Sequence, residues 1–381
     1  METGRISSWQ FFHLILSLVL GLMLVRVPPS LTQLAGPDAW ISMLFALGVD
    51  LAVAGALYAL GRRFPGQTLF QYAPAILGRV PGKVAAIAYI WLFMHAAAIS
   101  IYIFAAGYKL VLPETPLLVF VLLVVVVSTV GAYYGLETMA RASEIVSPIS
   151  IVISVLILIL TLKDMDFGNL RPVLGNGIKG PVAGALVAAS WYGICVIMGL
   201  FMAYHDKPQQ ALLAKAAGVS VGMMLVTLLT LGSIAALGPL QSAHQRVPTW
   251  SLSRIILIAG FFERLQMLFV SLLMTTGFVT LGVLHHASSL GVAQLFGLKE
   301  YRPLVLPMGL VLAGLAYGVV GSHLELQPFF RDAFPSYALL IEGGLTFLLL
   351  AVAWVRGSRG PVPNSGKQID KEPGDRGKYG V

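Results

Sequence analysis

Backbone inside a lipid bilayer must satisfy its own hydrogen bonds, so a chain dominated by apolar runs long enough to span one folds those runs as helices. This chain carries about ten such runs, each near the roughly 20 residues that a helix needs to cross the hydrocarbon core. They fall near residues 8–27, 40–60, 84–109, 116–134, 143–162, 181–204, 211–237, 262–285, 303–320 and 337–355. With 57% hydrophobic and 11% charged residues over 381 positions, against roughly 25% charged in an average soluble domain, the chain has too little polar surface for a soluble globule. It reads as an all-α integral membrane protein.

Ten spans divide into two groups of five. An odd number in each half makes the second half enter the membrane with opposite polarity, as an inverted-topology repeat requires. The net charge of +8 resides in short loops and the tail rather than on one amphipathic face, which points to bilayer orientation and not to nucleic acid. With the N-terminus inside, sixteen of the 25 Lys and Arg residues fall on the inner side, Lys215 among them, which places both termini in the cytoplasm. Arg5 precedes the first apolar run without a small-residue cleavage pattern after it, so that run is expected to remain as a span. Residues 1–355 form the membrane domain on this reading. Residues 356–381, rich in Gly, Pro, Lys and Asp, are expected to be a disordered cytoplasmic tail. Residues 163–180 and 238–261 are the long outer loops; the second, with Pro248-Thr249-Trp250 and the apolar stretch Ile255 to Ile258, suggests a helix lying at the interface.

Two of the ten segments are interrupted at matching places. The first is split by Gly21, with Leu22 and Met23 following, and is expected to end at Pro28-Pro29; the sixth is split by Gly193 and Gly199. Unwound backbone within a membrane survives where it lines a protein cavity, and the positive ends of half-helices can hold an anionic group such as a carboxylate. Corresponding breaks in two halves therefore mark a substrate site, although a single glycine serves helix packing equally well.

Few polar residues lie at depth. Asp50 sits about ten residues, roughly 15 Å, into the second span, where a carboxylate must be paired, protonated or functional. It could relay an ion or a proton, or bond a neighbouring helix. His95 lies mid-span with Trp91, Met94 and Tyr102 around it, and Trp191 and Tyr192 adjoin the break at Gly193. Ser271, Thr275, Thr276 and Thr280 put hydroxyls along the eighth span, where they bond their own helix or face the first break. Glu342 and Arg26 are expected within reach of the outer surface, as anchors or partners. The lone Cys195 forms no intrachain disulfide, and His285-His286 has no further ligand at metal spacing. No cofactor or metal signature is present, and no enzymatic site is expected.

Specific strings then narrow the reading. Ile6-Ser7-Ser8-Trp9-Gln10, Pro37-Asp38-Ala39-Trp40-Ile41, Leu112-Pro113-Glu114-Thr115-Pro116, Gly135-Leu136-Glu137 with Ala140-Arg141, Asn169 through Leu174, and Phe262-Glu263-Arg264 occur in that order. In these the chain resembles the endospore germination permeases, the B subunits of nutrient germinant receptors, related to the amino acid-polyamine-organocation superfamily. The resemblance runs over roughly residues 5 to 355 and omits the tail. It implies a ten-helix LeuT-like fold with a 5+5 inverted repeat and broken helices 1 and 6, in the inner membrane of a spore. It further implies an A subunit and a lipoprotein C subunit as partners, and a small nutrient, often an amino acid, as ligand. By motif position it assigns the ligand site to Gly21, beside Leu22, to Trp91 and His95, to Tyr192 and Gly193, and to Thr276 and Thr280. The chain departs from the pattern at Ile194, where relatives often carry glutamate, and at Met23, where a second glycine is common. A proton- or sodium-coupled amino-acid transporter would share this fold. A membrane enzyme would need converging groups, for which Asp50 and His95 are the deep pair.

Overall fold

The computed structural model describes residues 2, 4–245, 247–255, 266–320 and 329–360. The string Phe262-Glu263-Arg264, the stretch after Ile255 and the tail beyond residue 360 lie outside them. Ten helical segments follow in order. They are α1 (Ser8–Leu34), α2 (Ala39–Arg63), α3 (Arg79–Val111), α4 (Leu117–Tyr134), α5 (Leu136–Thr161), α6 (Lys179–Tyr204), α7 (Ala211–Leu237), α8 (Gln266–Leu295), α9 (Arg302–Val320) and α10 (Phe329–Val355). Among the described residues nine are long and apolar enough to cross a membrane, and the Arg302–Gly318 stretch of α9 is apolar but shorter.

The first helix starts where its sequence says a helix can start. Ser7 Oγ accepts from the Gln10 N–H at 3.1 Å while Gln10 Oε1 accepts from the Ser7 N–H at 3.0 Å, a reciprocal cap for two otherwise orphaned donors. A short helix that the hydropathy reading omitted, Leu69–Leu77, uses the same device at Thr68 and Gln71 between α2 and α3. The long loops contain short helices too, Phe167–Leu170 in the first and Pro239–His244 and Pro248–Ile255 in the second.

The inverted repeat is visible in which helices touch. Exchanging each helix of the first five with its counterpart five places later maps the contacts onto one another: α2 packs on α6 as α7 packs on α1, α4 on α8 as α9 on α3, and α1 on α5 as α6 on α10. The pairs α3–α8 and α2–α7 map onto themselves. Apolar side chains on α2, α4, α5 and α9 that point away from this bundle, among them Leu44, Val126, Ile145 and Leu310, are exposed and form the surface that lipid covers.

The close helix contacts depend on hydroxyls that cost nothing to bury. Along α5, Ser143 donates to the Ala140 carbonyl, Ser150 to Val146, Ser154 to Ser150 and Thr161 to Ile157. Each is fully buried. A side chain that bonds its own helix backbone needs no partner across the interface, so a small polar face packs as tightly as an alanine face.

Three expectations are corrected. The first segment does not end at Pro28-Pro29: both lie inside the Leu24–Leu34 part of α1. Proline removes an i→i−4 hydrogen bond, and here the π-helical turn Val19–Met23 immediately precedes that part, while Thr32 Oγ1 donates to the Pro29 carbonyl at 3.0 Å, the local adjustments by which membrane helices tolerate proline. The tenth helix is already formed at Phe329, ahead of the expected start near 337, which sinks Glu342 to mid-span. Residues 356 to 360 at the head of the expected tail are tied down: Arg356 Nη1 donates to the Ile76 carbonyl at 2.8 Å and the Gly360 N–H to the Arg63 carbonyl at 2.9 Å.

Candidate functional site

Both interruptions exist where the glycines stand, but neither is unwound. In α1, residues Val19–Met23 form a π-helical turn with Gly21 at its centre; in α6, Gly193–Ile197 form a 3-10 turn. The backbone stays hydrogen-bonded in a different register, so few free N–H or C=O groups are offered to a ligand. The local change of helical radius instead lets a neighbouring helix approach at one glycine on each break.

At α1 that neighbour is α8. A Cβ on Gly21 would collide with Thr280 Oγ1 and come within 3.0 Å of the Thr276 carbonyl oxygen, so glycine is required for this approach. Thr280 Oγ1 lies 3.0 Å from the Thr276 carbonyl and 3.3 Å from the Ser17 carbonyl of α1, bridging the two helices. Thr276 Oγ1 donates to the Leu272 carbonyl at 2.7 Å. Leu22 is buried beside the turn. Ser17, which the sequence reading did not single out, is also buried, and its hydroxyl has no hydrogen-bond partner among the described residues. Gly21, Thr276 and Thr280 are thus brought together.

At α6 the neighbour is α10, and what fills the space above Gly193 is the Glu342 carboxyl, with which a Cβ at Gly193 would collide. Tyr192 is fully buried, and its hydroxyl has no partner among the described residues. A cavity of about 230 Å³ opens here between α2, α6 and α10, walled by Val49, Val53, Ala189 and Phe347 and carrying Asp50, Gly193 and Glu342. Asp50 is 3% exposed and forms an ion pair with Lys215 of α7, itself 1% exposed. Lys215 is therefore not the inner-loop cation the charge count made it. It sits one helical turn inside α7, reaching across to α2. Glu342 is 1% exposed with neither carboxyl oxygen partnered among the described residues, so it is no surface anchor.

Trp91 and His95 are not among the nearest neighbours of either glycine. Trp91 is 46% exposed on α3, and His95 hydrogen-bonds through Nδ1 to the Tyr337 hydroxyl of α10. The His95 ring stacks on Tyr337 at 5.7 Å and lies 5.7 Å from Phe329. It belongs to an aromatic layer that continues through Phe334, stacked on Trp191 at 4.2 Å, to Phe330, which carries the Arg26 guanidinium 4.2 Å above its ring. Arg26 is thus a partner inside the bundle. Asp50 and His95 are engaged with different partners, Lys215 of α7 and Tyr337 of α10.

On the face that carries the N-terminus, His286 Nε2 lies 3.2 Å from Glu2 Oε2, and His285 is spent on Ser128 at 3.1 Å and the Val305 carbonyl at 2.9 Å. Burial, with the Glu2 carboxylate close by, pushes the Tyr301 phenol up to about 12. Just past α6, burial lowers His205 below the usual histidine range. Among the described residues no three His, Cys, Asp or Glu side chains converge as a metal site.

Comparison with known proteins places this geometry. Residues 5–317 match the model of a family described as spore germination protein. Spore germination protein YndE of Bacillus subtilis (strain 168) is 27% identical over 358 residues, covering 92% of this chain and 97% of that protein. Spore germination protein KB of the same organism is 27% identical over 332 residues, covering 85% and 88%. Among solved structures, MhsT in complex with L-phenylalanine superposes with a TM-score of 0.67 at 13% identity, covering 92% of this chain and 89% of that one. Mhp1, a nucleobase-cation-symport-1 family transporter with bromovinylhydantoin bound, gives 0.70 at 11% identity, covering 92% and 79%. These likenesses establish the LeuT-like fold of a multi-pass membrane protein.

The Asp50–Lys215 pair sets a stability expectation. Removing one member of a buried ion pair strands the other charge, at about 3–5 kcal/mol. Lys215→Ala should lower the thermal midpoint of the detergent-purified protein substantially, and Asp50→Asn combined with Lys215→Met should recover most of the loss. The buried, single Cys195 makes a thiol-reactive fluorophore a direct readout of unfolding. Equal midpoints for Lys215→Ala and the unaltered protein would show that the pair does not form.

Proposed function

We propose that this chain, which belongs to the family of spore germination proteins, is a sensing subunit of a germinant receptor that binds a small nutrient, most simply an amino acid, between α1, α6 and α8. The observation that carries the reading is the seat of Gly21 on Thr276 and Thr280. There a π-helical turn, two threonines already bonded to backbone, and the unpartnered Ser17 hydroxyl meet in a buried place. Glycine at 21 keeps α1 and α8 close enough for a ligand entering at the turn to touch both. The transporter of known structure with L-phenylalanine bound shares the fold, which supports an amino-acid-sized ligand.

In this reading the protein performs no chemistry and needs no cofactor. Ligand binding shifts an equilibrium between arrangements of α1 and α6 by as much as it prefers one over the other. An A subunit and a lipoprotein C subunit read the shift, with the protein in the spore inner membrane and both termini on the cytoplasmic side. The excess of Lys and Arg on the N-terminal side supports that orientation.

A second reading, a proton- or sodium-coupled amino-acid transporter, is favoured by the buried Asp50–Lys215 pair, since intramembrane ionisable groups are common parts of ion pathways. Accumulation of labelled amino acid by vesicles containing this chain alone would favour it over the receptor.

A thermal-stabilisation screen of amino acids, sugars and nucleosides against the purified protein identifies the ligand. At 100 times its dissociation constant a ligand stabilises by about 2.7 kcal/mol. In Gly21→Leu the added side chain collides with Thr280 and Thr276, so the protein should insert yet lose that stabilisation. The same ligand-dependent shift in Gly21→Leu as in the native chain would remove the site from α1 and α8.

A further inference from the structure

The two carboxyl groups of the α2–α6–α10 cavity are treated differently by the fold. Asp50 has a counter-charge in Lys215. Glu342 lies thirteen residues into α10, about 20 Å along its axis at 1.5 Å per residue, and both of its oxygens lack a hydrogen-bond partner among the described residues. The groups facing this place are Asp50 from α2, Lys215 from α7 behind it, Tyr192 and Cys195 from α6, Tyr89 from α3 and Tyr337 from α10 itself. Tyr89 is engaged with Thr346 Oγ1 at 2.8 Å. Asp50 and Lys215 cancel, and the phenols and thiol are neutral, so an ionised Glu342 would leave one uncompensated negative charge among Val49, Val53, Leu339 and Phe347. Burying an unpaired carboxylate is so costly that such a group neutralises instead.

We propose that Glu342 is a proton-binding site, holding one proton while its carboxyl rests against the α6 turn at Gly193. A metal ion fits less well, because it needs several convergent ligands and no three His, Cys, Asp or Glu side chains converge among the described residues. Release passes the proton to a water molecule entering the cavity and leaves a carboxylate, which must turn from the α6 backbone toward Lys215 or toward that water. The absence of a Cβ at Gly193 is what lets the neutral acid lie flush on α6, so proton occupancy and the packing of α6 on α10 are linked. The site stands whether the α1–α8 region receives a nutrient as a signal or as cargo.

Infrared difference spectroscopy of the full-length protein in lipid nanodiscs tests this. A neutral carboxylic-acid carbonyl band is expected at about neutral pH, lost in Glu342→Gln and retained when Asp50→Asn is combined with Lys215→Met, which removes the neighbouring carboxylate without freeing its cation. A band that survives Glu342→Gln, or disappears in the double variant, overturns the assignment. Should Glu342→Gln fail to fold, the native protein answers alone through dicyclohexylcarbodiimide, an apolar reagent that adds to protonated carboxyls and can enter from the lipid between the exposed Val49 and Phe347. Peptide mapping by mass spectrometry should find the adduct on Glu342 at about neutral pH, with labelling that falls several-fold as the pH is raised into the alkaline range. No adduct on Glu342, or labelling that does not change with pH, overturns the proposal.

Discussion

Everything distinctive about this molecule follows from one requirement, that backbone surrounded by lipid keep its hydrogen bonds. The chain needs irregular backbone in α1 and α6 to bring α8 and α10 close, yet cannot leave amide groups open to achieve it. Its solution is to change the helical register rather than abandon it: a wide π turn around Gly21 and a tight 3-10 turn from Gly193. A further pair of π turns in α10, Phe329–Ala333 and Leu340–Leu345, places the aromatic layer and Glu342 by the same means. Irregular helix thus surrounds Gly21, Gly193 and Glu342, while α4, α5 and α7 are regular.

That requirement also explains which polar groups the interior accepts. Hydroxyls on α5 and α8 fold back on their own carbonyls and are neutral to packing. Asp50 and Lys215 are accepted as a pair because each neutralises the other across α2 and α7. Of the two carboxyls in the α2–α6–α10 cavity, Glu342 has neither arrangement, and an intramembrane carboxyl without a partner is a candidate for function before structure.

The spans were legible in the sequence because hydropathy over 20 residues reports directly on burial in lipid, and so was the position of both irregular turns, because glycine marks close backbone approach. What those turns become was not legible. A π turn and an unwound gap need the same residue, and only the presence of α8 and α10 decides between them. Lys215 was misplaced because charge counting assigns every cation near a span end to water, whereas its partner sits 165 positions earlier in the chain. Glu342 was misplaced because hydropathy started α10 at the last strongly apolar run, while Phe329, Phe330 and Phe334 carry the helix further. His95 lies mid-span as its position suggested, but its partners Tyr337 and Phe329 belong to α10, and no local pattern in α3 announces them.

The burial of α6 gives the final constraint on mechanism. Its most apolar stretch is 94% buried inside the protein, against 33% for α5 and 28% for α10. A helix with a lipid face can shift and let acyl chains refill the space, but α6 is fully buried at its 3-10 turn, Gly193–Ile197. It touches α2 along its length, α10 from Lys179 to Ile197 and α1 over Lys179–Tyr192, so any change in its 3-10 turn displaces protein atoms around it. Close-packed interiors respond to such displacement by switching between discrete arrangements rather than by yielding gradually. If a small ligand binds at Gly21 and a proton at Glu342, as proposed, both bear on α6, since the α1 turn contacts it and the Glu342 carboxyl rests on Gly193. Binding events that each alter a few contacts can therefore bias one shared equilibrium, and by linkage each must alter the affinity for the other.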